Sequence, residues 1–293
     1  MAGKSLPRWG ERTFVMGVIN LTPDSFSGDG LLAGTGELAD RAIDAALAQG
    51  QRFVTQGADI LDIGGESTRP GAEAVSEEEE YRRVIPLIKA LVSIKIDAII
   101  SIDTSKAAVA RAAIEAGADW VNDVRGLRGD AQMAEVVSQY GCPVILMHNR
   151  LRSPGTELHA QLGGRYVGVH YKNLLEDVKA ELRESLIIAH NAGVSDDHII
   201  LDPGLGFGKT VEQSLELIDR LNDLKSLGYP LLVGPSRKSF IGYTLDLPPD
   251  ERVEGTAAAV AISIARGVDI VRVHDVAAIT RVARMADAIV RRQ

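Results

Sequence analysis

Eight apolar runs in this chain end in side chains that do not belong in a core. They are Asn20, Asp62, Asp103, Asn122, His148, Asp202, Ser236 with Lys238, and Arg272 with His274. Carboxylates accept hydrogen bonds from ring N–H and amino groups. Arginine, lysine and histidine suit phosphate oxygens or a carboxylate. Asn20 and Asp24 add hard oxygen donors of the kind that hold a hydrated Mg²⁺ bridging phosphates. The set fits a planar ligand rich in donors and acceptors that also carries an anion. Other chemistries lack their residues: no Cys/His cluster has zinc spacing, and the serine of GPSRKS is not in a G-x-S-x-G elbow. HIILDPGLGFGKT (198–210) looks like a phosphate loop, but the position of its first glycine is Pro203, which has no N–H to offer.

The elements that must position these residues show in a repeated phrase. QGADILDIG, AGADWVNDV and RGVDIVRVH each follow an Ala-rich helical stretch and read as a glycine helix stop, an aspartate and a buried parallel strand. Asp62, Asn122 and Arg272 occupy the same offset in the three phrases. Five further strands are expected at Thr13–Asn20, Ala98–Thr104, Pro143–His148, His198–Pro203 and Pro230–Ser236. Eight strands alternating with helices predict an α/β chain, a single (β/α)8 TIM barrel over residues 13–293 after an N-terminal extension, 1–12. An open doubly wound sheet is the alternative. In a barrel all eight strand ends share one face. Two glycine-rich stretches, SFSGDG and GGESTRPG, become loops on that rim, Ser76 the N-cap of a helix with Glu79 three residues on, and Asp275 the cap of the last helix. LRSPGTELHAQLGGRYVGVH (151–170) reads as a variable loop, and Cys142 as a small buried residue.

A net charge of −8 over 293 residues argues against nucleic-acid binding. No apolar run nears the ~20 residues of a membrane span, and the first residues have no signal-peptide core, so a cytoplasmic protein is expected.

MGVINLTPDSFSGDG, DIGGESTRPGA, SIDTSK, VND, LMH, LDPGLGFGK, GPSRKSFIG, GTAAA and RVHDV come in the order and spacing of the dihydropteroate synthases, which the chain resembles from Phe14 to its last helix. The resemblance implies a pterin-binding barrel, probed by two small substrates, dihydropterin pyrophosphate and 4-aminobenzoate, with Mg²⁺ as cofactor and a homodimer as the assembly. It implies that Asp103, Asn122, Met147, Asp202, Phe207, Lys238 and Arg272 bind the pterin. Phe26, Thr68, Arg69, Pro70 and Ser239 would take the aminobenzoate. Asn20, Arg272 and His274 would meet the pyrophosphate, with Asn20 also on the metal, and Asp103, Lys238, Arg272 and His274 would serve catalysis. The chain departs from the family in its first loop, where Asp29 stands one place late, and after LMH, where Asn149 and Arg150 follow. A related barrel that moves a methyl group from a folate to a corrinoid should lack STRP and SRKSF, which this chain has. A barrel that keeps the pterin pocket without turnover is the remaining alternative.

Overall fold

The computed structural model describes residues 6–21, 37–67, 75–150, 157–159, 165–167 and 170–292. Phe26, Thr68, Arg69 and Pro70, together with Asp24, Asp29 and most of 151–170, lie outside them. The strands are β1 (Phe14–Asn20), β2 (Ile60–Gly64), β3 (Ile99–Asp103), β4 (Trp120–Asp123), β5 (Val144–Met147), β6 (Glu157–His159), β7 (Arg165–Val167), β8 (Ile199–Asp202), β9 (Leu232–Val233) and β10 (Ile270–Val273). The helices are α1 (Glu37–Thr55), α2 (Glu77–Ser93), α3 (Ala107–Ala116), α4 (Met133–Tyr140), α5 (Leu174–Asn191), α6 (Val211–Asp219), α7 (Leu221–Leu224), α8 (Ser239–Leu245), α9 (Val253–Ala265) and α10 (Val276–Val290).

Eight strands pair in the order β8-β5-β4-β3-β2-β1-β10-β9. A parallel bridge from Leu201 in β8 to Leu231, just before β9, joins the two ends. Closure decides for the barrel over the open sheet. β9 is shorter than its expected span because Pro230 and Pro235 have no N–H for a ladder. The stretch read as a variable loop contains an antiparallel ribbon of β6 and β7.

The repeated phrase has one structural meaning in all three copies. Gly57, Gly117 and Gly267 sit at φ of 99°, 108° and 89°, which only glycine adopts freely, and each ends its helix. The aspartate two residues on then accepts a backbone N–H from the neighbouring chain segment: Val15 to Asp59, Ile100 to Asp119 and Leu231 to Asp269, each at 2.9 Å. Three carboxylates thus pin adjacent strands at the foot of the barrel.

Alternation along the strands builds two inner layers. The lower is apolar and includes Met16, Ile60, Trp120, Ile200 and Ile270, with Leu6 and Trp9 packed against it. Trp9 meets Phe14 edge-on at 5.8 Å and stands 6.4 Å from Trp120. Two residues further along the same strands, the inward positions become Asp62, Asn122, Asp202 and Arg272. Ser76 caps α2 as expected, accepting from Glu79 N at 3.2 Å.

Asp269→Ala would orphan the Leu231 N–H at the closing seam, at a cost of about 1–3 kcal/mol. The urea midpoint should fall with an unchanged slope. An unchanged midpoint would remove the aspartates from the account of closure.

Candidate active site

The C-terminal ends of the strands meet around one guanidinium. Arg272, on β10, donates from Nε to Asp62 Oδ2 at 2.5 Å and from Nη2 to Asp103 Oδ2 at 2.6 Å. Asp62 is wholly buried, and also accepts from Ser101 Oγ at 2.7 Å and from Asn122 Nδ2 at 3.0 Å. The three residues at the shared offset of the repeated phrase, Asp62, Asn122 and Arg272, therefore touch one another. Asp62 saturates its acceptors inside the protein. Asp103 does not: among the described residues its buried Oδ1 has no hydrogen-bond partner, so it offers a free acceptor to the pocket.

Electrostatics follow from burial. Burial raises the Asp103 carboxyl to about 7, Arg272 pulling it down and Asp62 pushing it up. Burial also raises Asp202, against the pull of Lys238. It lowers the Lys238 ammonium to about 8, with Asp202 opposing. Asp62 and Asp103 hold the Arg272 charge in place against its own desolvation.

The stretch after β8 forms the adjoining wall. Asp202 Oδ1 accepts from Gly204 N at 2.7 Å, which leaves its other oxygen for the pocket. Lys238 stands 4.2 Å over the ring of Phe207 and donates to the carbonyl of Leu205. Met147 is the register partner of Asp202 and shares its inward side. Asn20 and Asp103 face each other across Gly64, where an added Cβ would stand 3.6 Å from Asn20 Oδ1 and 3.8 Å from Asp103 Oδ2. His274, the next inward position after Arg272, is 3.0 Å from Ser236 Oγ through Nδ1. Ser239 opens α8 directly after Lys238.

Two expectations are corrected. His148 is not on the rim: Met147 takes the inward side, so His148 turns outward and lies buried between Lys209 Nζ at 2.9 Å and Glu181 Oε2 at 3.1 Å. Asp275 stands at the N-cap of α10 but makes no capping bond; its carboxylate instead takes both arms of Arg237, at 2.9 and 2.6 Å. The role of Asp62 as the anchor of both Asn122 and Arg272 was not drawn from the sequence, although the repeat offset was the signal for it. Among the described residues no three His, Cys, Asp or Glu side chains gather as a metal site. Among the described residues, Asn20 Oδ1 is a hard oxygen donor that would suit a hydrated Mg²⁺ carried largely by an anionic ligand.

The pattern of the family described as pterin binding enzyme matches residues 16–274. The chain is 51% identical over 284 residues to the dihydropteroate synthase of Clostridium beijerinckii, covering 97% of this chain and 96% of that one. It superposes with a TM-score of 0.87 and 46% identity on the dihydropteroate synthase of Clostridium difficile solved in the presence of pteroic acid, covering 98% of this chain and 100% of that one. Against the Xanthomonas albilineans dihydropteroate synthase solved with 4-aminobenzoic acid, the TM-score is 0.83 at 40% identity, covering 96% and 94% of the two chains.

Asp62→Leu would leave the Arg272 charge to Asp103 alone and orphan the Asn122 amide in a buried layer. Removing one partner of a buried ion pair costs about 3–5 kcal/mol, so the variant should melt well below the parent. Equal melting temperatures would show that the pair carries no structural weight.

Proposed function

The chain belongs to the family of pterin-binding enzymes, and we infer that it is a dihydropteroate synthase, a transferase of folate biosynthesis that joins 6-hydroxymethyl-7,8-dihydropterin pyrophosphate to 4-aminobenzoate and releases pyrophosphate. The observation that carries the reading is the buried polar ring itself. Asp103 offers an unpartnered acceptor, Asp202 offers a second, and Lys238 and Arg272 stand beside them. A flat, donor-rich heterocycle with an anionic arm satisfies all four.

In this reading the pterin lies between Met147 and Phe207. Its N–H groups go to Asp202, Asp103 and the amide oxygen of Asn122, and Lys238 donates to it. The C–O bond to pyrophosphate breaks, positive charge develops on the pterin, and the electron pair leaves with the pyrophosphate. Asp103 and Asp202 favour the first charge, Arg272 and His274 the second. The neutral aniline nitrogen of 4-aminobenzoate attacks the methylene carbon and then loses a proton, so no strong base is needed. Phe26, Thr68, Arg69, Pro70 and Ser239 are assigned to the aminobenzoate by the resemblance. Mg²⁺, held by Asn20 and the phosphates, would neutralise charge on the departing group. A cytoplasmic location is part of the reading and rests on the sequence; no helix among the described residues is long and apolar enough to cross a membrane.

A homodimer also belongs to this reading. The α9 sequence, VEGTAAAVAISIA, carries one charge and is apolar nearly all round, although it lies at the surface. With α10 it forms a groove between Ala257, Ala261 and Met285, flanked by exposed Ile262 and Ile289. Met285 is 63% exposed. A second copy of the chain is the occupant this reading assigns. Light scattering should give twice the chain mass for the parent and the single mass for Met285→Glu. A monomeric parent would remove the dimer.

Two measurements test the activity. Dihydropterin pyrophosphate, 4-aminobenzoate and Mg²⁺ should give dihydropteroate, and absence of product overturns the reading. Because the raised Asp103 carboxyl loses its charge as pH falls through about 7, pterin affinity should weaken from pH ~8 to pH ~6. In Asp103→Asn that dependence should flatten; calorimetry in both proteins reads it directly.

A further inference from the structure

Lys209 is the next-to-last residue of the stretch that looks like a phosphate loop, and nothing in the reaction above uses it. Its side chain is 2% exposed. The amine meets three acceptors: His148 Nδ1 at 2.9 Å, the carbonyl of Gly204 at 3.0 Å and the carbonyl of Phe207 at 3.1 Å. The other nitrogen of His148 is 3.1 Å from Glu181 Oε2. His148 Nδ1 and the lysine nitrogen therefore share one hydrogen bond, which Lys209 donates when the ring carries its proton on Nε2. Three polar atoms around the one nitrogen fill its hydrogen-bonding positions. Burial draws the Lys209 pKa well below the ordinary lysine value, and the carboxylate of Asp202 offsets only part of that.

The loop above this amine has an unusual backbone. Gly204, Gly206 and Gly208 sit at φ of 68°, 74° and 59°. A Cβ on Gly204 would lie 1.9 Å from the carbonyl oxygen of His148. Such left-handed turns give up regular ladder bonds, and side chains replace them. Lys209 holds the carbonyls of Gly204 and Phe207, Lys238 holds that of Leu205, and Tyr171 Oη donates to that of Gly208 at 2.9 Å. Phe207 is thus fixed at its carbonyl by one lysine and at its ring by the other, with Lys238 Nζ 4.2 Å from the centroid. Gly204 is shared as well: its carbonyl meets Lys209 and its N–H meets Asp202.

We propose that Lys209 is a positioning residue for the pterin wall: its buried amine, seated on His148, holds the Gly204–Phe207 turn so that the Phe207 ring and the Asp202 carboxylate meet the substrate. The proposal rests on the pterin reading given above. It assigns the lysine no contact with substrate and no part in bond breaking.

Lys209→Met keeps the length and removes the amine. Its dissociation constant for phosphate-free 6-hydroxymethylpterin, by calorimetry, should rise about tenfold or more, while KM for 4-aminobenzoate stays at the parent value. A double-mutant cycle separates positioning from general stability. If Lys209 acts through Phe207, then Phe207→Ala costs less pterin affinity in the Lys209→Met background than alone; additive losses overturn the proposal. His148→Leu removes the seat by a second route and stands in if the Met variant does not fold. It should weaken pterin binding in the same direction. Parent affinity in either folded variant overturns the proposal. Nitrogen NMR of the parent should show His148 as the Nε2–H tautomer, and an Nδ1–H tautomer overturns the seating. A parent that binds no pterin defeats the substrate reading instead, and leaves the seating to the NMR result.

Discussion

The buried ion pair of Arg272 with Asp62 and Asp103 is the contact on which the upper half of the barrel depends. Its partners lie 210 and 169 residues away in sequence. The pair can form only when β10 has come round through β1 to β2 and β3. An isolated charge in that layer would be prohibitively costly, and a buried pair is favourable only when its remaining hydrogen bonds are met. Asp62 meets that condition with three donors. Asp103 does not, and the shortfall is the opening for a ligand.

This arrangement needs a dry, rigid floor. The apolar layer one alternation below excludes water from the underside of the polar ring, which strengthens every charge interaction above it. Trp9 and Leu6 extend that floor toward the foot of the barrel. Asp59, Asp119 and Asp269 hold strand register at the same end. Register matters because a one-residue slip would exchange the inward and outward sets and carry Asp62, Asn122 and Arg272 out of the pocket. The repeated phrase therefore encodes two things at fixed spacing, a strand pin and, three residues later, a member of the polar ring.

Local chemistry was legible in the sequence, and long-range partnership was not. Glycine stops, strand alternation and the polar strand ends all depend on a few neighbouring residues, so the sequence places Asp103, Asn122, Asp202, Lys238 and Arg272 on one rim. His148 misled because its strand ends one residue earlier than its apolar run suggests, and one residue in a strand reverses the side. Asp275 misled because a cap needs only its own helix, whereas the Arg237 that takes its carboxylate comes from a different loop. The signal for Asp62 was present in the shared offset, but three residues at one offset can be seen to touch only after the ring is closed.

The charge count of the pocket explains what it selects. Three carboxylates, Asp62, Asp103 and Asp202, face two cations, Arg272 and Lys238. Fully ionised, the set carries one negative charge in excess. Burial of Asp103 itself raises its carboxyl, and the neighbouring charge of Asp62 adds to the rise against the pull of Arg272. A neutral heterocycle that donates N–H groups relieves the strain at little electrostatic cost. A heterocycle gaining positive charge relieves it more, and the gain is largest in the transition state, where binding energy accelerates a reaction. An anion bound alone would add to the excess unless it met Arg272 and His274. The pocket thus sets carboxylates against cations in one buried layer, and that arrangement suits a molecule whose ring becomes positive as its phosphate arm departs.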